Sequence, residues 1–96
     1  MQFEEFEQSL QRDEPPAGLP LTLAALWWDA KGDWTKAHEC AQQNEAPEHA
    51  WVHAYLHRKE GDPGNAAYWY RQAGRAPFAG SLEQEWEAIA RLLLES

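Results

Sequence analysis

A pattern of helix, Gly-Asp turn, helix and proline occurs twice in this chain, and it limits the fold more than any other feature. The fuller copy runs from Trp51 to Pro77, with its turn at Gly61-Asp62-Pro63-Gly64-Asn65. The earlier copy turns at Gly32-Asp33 and reaches Pro47. Residues 38–47 align with 68–77 without gaps, and the pairs Gln42/Gln72, Ala46/Ala76 and Pro47/Pro77 coincide. The two Gly-Asp pairs then match with one residue inserted in the turn. A lone helical hairpin cannot cover its own apolar face, so two such units are expected to stack around a shared core.

Helical periodicity extends to both ends of the chain. Phe3, Phe6 and Leu10 form a narrow stripe that predicts a first helix over 2–12, with early glutamates suited to the positive end of its dipole. Asp13-Glu14-Pro15-Pro16-Ala17-Gly18 then breaks the chain, so the segment 1–14 is expected to pack loosely. The second helix is expected from Pro20 to Gly32, apolar on more than one side and therefore central. The third starts at the N-cap Asp33 and ends near Asn44. The fourth spans about 47–60 with Trp51, Ala54, Tyr55 and Arg58 inward. The fifth spans about 65–74, capped by Asp62 or Asn65 and stopped by Gly74. Ser81-Leu82-Glu83-Gln84 reads as a capping box for a last helix over 82–95, whose inner stripe is Leu82, Trp86, Ile89 and Leu93. Leu92 and Leu94 fall off that stripe and are expected to be partly exposed. No strand pattern occurs. The expected fold is all-α, about six helices in one domain over 1–96, with two repeat-like hairpins at 21–77 and a capping helix at 81–95.

Composition sets the outer bounds. The 96 residues suffice for one core, since a chain of this size buries about two-thirds of its unfolded surface. Six tryptophans must supply much of that core. The net charge is −8, with ten acidic residues outside 31–75 against Arg12 and Arg91 alone, which disfavours nucleic-acid binding. No apolar run approaches a membrane span. Cys40 is the lone cysteine, and the acidic first residues lack the basic region of a secretion signal, so the cytoplasm is the expected compartment.

The Gly32-to-Ala37 spacing, Gly61, Ala67 and the run Tyr68-Trp69-Tyr70-Arg71-Gln72-Ala73 resemble the tetratricopeptide and Sel1-like repeat superfamily over residues 21–77. Tyr55 stands where that pattern has a small residue, and two units stand where three or more are usual. The resemblance implies a stack of helical hairpins, capped by the terminal helices, that binds proteins or peptides in a groove. A narrower likeness is carried by His53-Ala54-Tyr55-Leu56-His57-Arg58-Lys59-Glu60, Asp62, Asn65-Ala66 and Tyr68-Trp69-Tyr70-Arg71. It is similar to the signature of a family of bacterial and fungal proteins with no assigned activity, and so implies the fold and no reaction.

Three functional readings follow. The first is a non-enzymatic module binding a protein or peptide partner through aromatic residues of the fourth and fifth helices, with no cofactor. The second is a protein or enzyme acting on a small anionic molecule. Its pocket would gather His38, Gln42, His53, His57 and Arg58 against Tyr68 or Trp69, with histidine as the proton-transfer group and Arg58 gripping the anion. The third is a site for Zn²⁺ or another transition metal. His49, His53 and His57 recur every four residues, and rings at i and i+4 reach one ion, whereas a third at i+8 has drifted by about 80° around the helix. That leaves His53 and His57, with His38, Glu39, Cys40 or Glu60 as further ligands. The pair lacks the glutamate of a HExxH motif and hence the general base of a metalloprotease.

Overall fold

A computed structural model describes residues 1–95. The chain is all-helical: α1 (Phe3–Ser9), α2 (Leu21–Ala30), α3 (Trp34–Ala41), α4 (Pro47–Lys59), α5 (Pro63–Ala73) and α6 (Leu82–Glu95), with no strand among the described residues. No helix among them is long and apolar enough to cross a membrane.

The two hairpins, α2–α3 and α4–α5, turn identically. Gly32 and Gly61 adopt φ of +86° and +88°, left-handed values that favour glycine. One residue later, the amides of Asp33 and Asp62 each donate at 2.9 Å to a carbonyl five residues back, those of Trp28 and His57. The Asp33 carboxylate then caps α3 by accepting the Lys36 amide, and Asp62 caps α5 by accepting the Asn65 amide. Asp62 is thus the cap and Pro63 opens the helix, two residues earlier than the expected start at 65. The shared geometry fixes the repeat at 29 residues, not the 30 that aligned Gln42 with Gln72. In this register the buried Ala37 matches Ala66 and Ala41 matches Tyr70. Gln42 is the C-cap of α3, whereas Gln72 lies inside α5, which runs on to Gly74. The third helix therefore stops at Ala41, short of Asn44.

Helix α4 is the central element. Every residue from Ala50 to His57 is buried, because the helix packs on α2, α3, α5 and α6. Fully buried alanines (Ala37 and Ala41 on α3, Ala54 on α4) let the helix axes approach closely. Helix α6 closes the core with Ile89 and Ala90, and its capping box forms as read: Ser81 N–H donates to Gln84 Oε1 at 2.9 Å, and Gln84 N–H to Ser81 Oγ at 3.0 Å.

The first helix is shorter than expected, yet it is not loosely packed. Phe6 is fully buried and stacks on Trp86 at 5.8 Å, Phe3 meets the same indole edge-on, and Ser9 accepts the indole N–H of the fully buried Trp27. The proline-rich segment after it turns the chain without releasing α1, because Phe3 and Phe6 are held on Trp86 and Ser9 on the indole of Trp27.

Candidate functional site

The site grows from the α3–α4 contact. On α4, His53 and His57 lie one turn apart and project to the same side. On α3, His38 lies one turn after Trp34 and beside the fully buried Ala37 and Ala41, which bring it up to α4. The ligating atoms of His38, His53 and His57 fall within 4.8 Å of one another. His38 is half-buried, while His53 and His57 are 5% and 6% exposed.

Each ring is held in place. The Nε2 atoms of His53 and His38 are 2.9 Å apart, so one carries the proton and the other accepts it. His53 stacks on Trp69 at 3.9 Å on one side, with His57 stacked at 4.9 Å. His38 stacks on Trp34 at 4.8 Å, and Trp34 is itself fixed by donating its indole N–H to the Leu56 carbonyl at 2.9 Å. His57 Nδ1 meets Glu60 Oε1 at 2.6 Å, and Asn65 Nδ2 lies 3.5 Å from its Nε2. When the ring is neutral, donation from Nδ1 to the carboxylate leaves Nε2 as the nitrogen with a lone pair.

Burial disfavours the charged form of two of the three rings, His53 and His38. Burial, then the neighbouring His38 and His57, push His53 down to about 4. His38 is also lowered, by burial first and His57 second, with Glu60 and Glu39 opposing. Neutral imidazoles are the form that ligates a metal.

The other residues expected here lie elsewhere. Gln42 is an exposed C-cap, and Tyr68 is exposed, touching only the edge of Trp69 within this group. His49 leaves the histidine ladder to pair its Nδ1 with the Ala41 carbonyl at 3.1 Å, at the open end of α3. Cys40 is outside the cluster, and burial together with Glu39 pushes its thiol up, away from the reactive thiolate.

Arg58 is the largest displacement from expectation. It serves Glu85 on α6, a carboxylate with no solvent exposure, through its guanidinium at 2.8 Å, and it also donates to the Gly80 carbonyl. It makes no bond to Glu60 or Asp62. Trp51 Nε1 at 3.0 Å and Tyr70 OH at 2.5 Å donate to the other Glu85 oxygen. Burial and that hydrogen bond push the Tyr70 phenol well above its usual range. The guanidinium expected to grip an anion is thus consumed in a structural network. Sequence reasoning missed Glu85, because it lies between Glu83 and Glu87 in an acidic stretch that reads as a solvated face, one position off the inner stripe of Leu82, Trp86, Ile89 and Leu93. Trp34, one of the six tryptophans expected to supply the core, also belongs to the site.

No protein-family model, curated protein or solved structure matches this chain.

Proposed function

We propose that this protein binds a transition-metal ion through His38, His53 and His57. The observation that carries the proposal is the gathering of three imidazoles, from two helices, with their ligating atoms within 4.8 Å. In a tetrahedral site with metal–nitrogen bonds of about 2.0–2.1 Å, the ligand nitrogens stand about 3.3 Å apart. The Nε2 atoms of His38 and His53 are already 2.9 Å apart, and the ligating atoms of all three rings lie within 4.8 Å of one another. The Glu60–His57 pair supplies the carboxylate that commonly orients a metal-bound imidazole through its other nitrogen. Imidazole donors suit Zn²⁺, Cu²⁺ and Ni²⁺ over Mg²⁺ or Ca²⁺. Three protein ligands leave one coordination position for water or another small ligand.

The metal reading stands ahead of the anion pocket because Arg58 is bound to Glu85. For the hairpin stack itself we propose repeat units of the tetratricopeptide or Sel1-like kind, supported by the recurrence of the Gly-Asp turn and its aspartate cap, at a spacing of 29 residues that is shorter than the roughly 34 of the tetratricopeptide repeat. A reducing compartment such as the cytoplasm fits the single thiol of Cys40.

Thermal unfolding with and without Zn²⁺ tests the metal site. An ion present at a hundredfold excess over its Kd stabilises the native chain by about 2.7 kcal/mol, a rise of roughly 10–20 °C in Tm for a domain of this size. The paired substitution His53→Gln, His57→Gln is expected to abolish the rise, and His49→Gln to leave it intact. A zinc-dependent rise that survives the paired substitution would refute the assignment.

A further inference from the structure

A cleft lies on the opposite side of α4 from the histidines. Tyr55 and Lys59 follow His53 and His57 by two positions, which is about 200° around the helix. They enter a cleft of about 460 Å³ framed by α1, α2, α4 and α6. Its wall is aromatic and fixed: Phe3 meets Trp86 edge-on at 6.1 Å, and Trp86 donates its indole N–H to the Leu26 carbonyl at 2.9 Å. The buried Asp29 accepts from Tyr55 OH at 2.7 Å and Lys59 Nζ at 2.9 Å, so the cation lining the cleft is already neutralised. The remaining charged lining residues are Glu7, Glu83 and Glu87, all exposed at the rim, with Arg91 paired to Glu87 at 2.8 Å.

We propose that this cleft docks a segment of a partner protein that carries a bulky apolar side chain next to a lysine or arginine. The apolar side chain fills the space against Phe3 and Trp86. The cation meets Glu7 and Glu83, while its aliphatic stem covers the apolar wall. Charge complementarity selects this occupant: the cleft's ionic lining is negative, the chain carries −8 overall, and phosphate or carboxylate ligands would be repelled. The volume accepts two or three side chains, which suits an anchoring segment of a protein partner. This inference is independent of the metal site, since no residue is shared between the two.

The test uses a short amphipathic helical peptide of leucine and lysine, and a second in which glutamate replaces every lysine. Each is titrated at low salt into the full chain labelled with ¹⁵N. The lysine peptide is expected to shift the Trp86 indole resonance and the amides of Ala30 and Leu82, and the glutamate peptide is not. Glu7→Lys with Glu83→Lys should weaken binding by roughly tenfold or more, as reversal of two rim charges does. The control pair Glu45→Lys with Glu48→Lys changes net charge equally at exposed positions away from the cleft and should leave the shifted resonances and the affinity near the original values. Absence of binding, shifts spread over the whole acidic surface, or equal weakening by both pairs would each overturn the proposal.

Discussion

His53 concentrates the physical chemistry of the site. It is 5% exposed, pressed against Trp69, and holds its titration down at about 4, against 6.5 for a free imidazole. The folded chain therefore carries fewer protons here than the unfolded chain between those values. Its contribution to stability is complete above about pH 6.5 and is lost as pH falls toward 4, a change of up to about 3 kcal/mol. Urea unfolding across that range should show the decline, and His53→Gln should flatten much of it. An unchanged slope in that variant would assign the acid sensitivity to other groups. The i, i+4 spacing made His53 and His57 legible as a pair. His38 reads as one of several further ligands, and the close α3–α4 packing allowed by Ala37 and Ala41 is what brings it to the pair. Arg58 was misread because its partner, Glu85, is 27 residues away and lies in an acidic stretch that reads as solvent-facing.

At the scale of elements, the hairpin turn and the α6 seam matter most. The Gly-Asp pairs mark where the chain turns, but in the sequence the α5 cap is open between Asp62 and Asn65 and one turn reads with an extra residue, whereas a left-handed glycine followed by a capping aspartate gives both turns one geometry. At Gly61 an added Cβ meets nothing within 4 Å, so Gly61→Ala isolates backbone strain and should cost about 1 kcal/mol, measured by urea unfolding. A cost near zero would mean that the turn relaxes to another conformation. The seam is different in kind: Glu85 gathers Arg58, Trp51 and Tyr70 from α4 and α5 onto α6. Removing that carboxylate strands a guanidinium and two buried donors, so Glu85→Ala should destabilise by about 3–5 kcal/mol, and Arg58→Ala by a comparable amount. A loss under 1 kcal/mol in both would show that water replaces the network. Register was the part of the repeat that identities concealed. Gln, Ala and Pro matched at 30 residues by coincidence, while caps and buried alanines recur at 29.

For the whole molecule, α4 serves as a partition. Its burial from Ala50 to His57 leaves little room for motion, and its two faces present different chemistry: a cluster of imidazoles toward α3 and α5, and an acidic, aromatic cleft toward α1 and α6. The all-helical class and element order followed from periodicity and punctuation, whereas the tight seating of α1 followed from ring contacts that no local pattern reveals. The claim that matters most is that three particular histidines share one ion. The most direct measurement is a long-range ¹H–¹⁵N spectrum of the histidine rings during Zn²⁺ titration. The account predicts saturation at one equivalent, with one ring nitrogen each of His38, His53 and His57 moving to the metal-bound range and His49 unmoved. Saturation without His38, or shifts confined to His49, would contradict it.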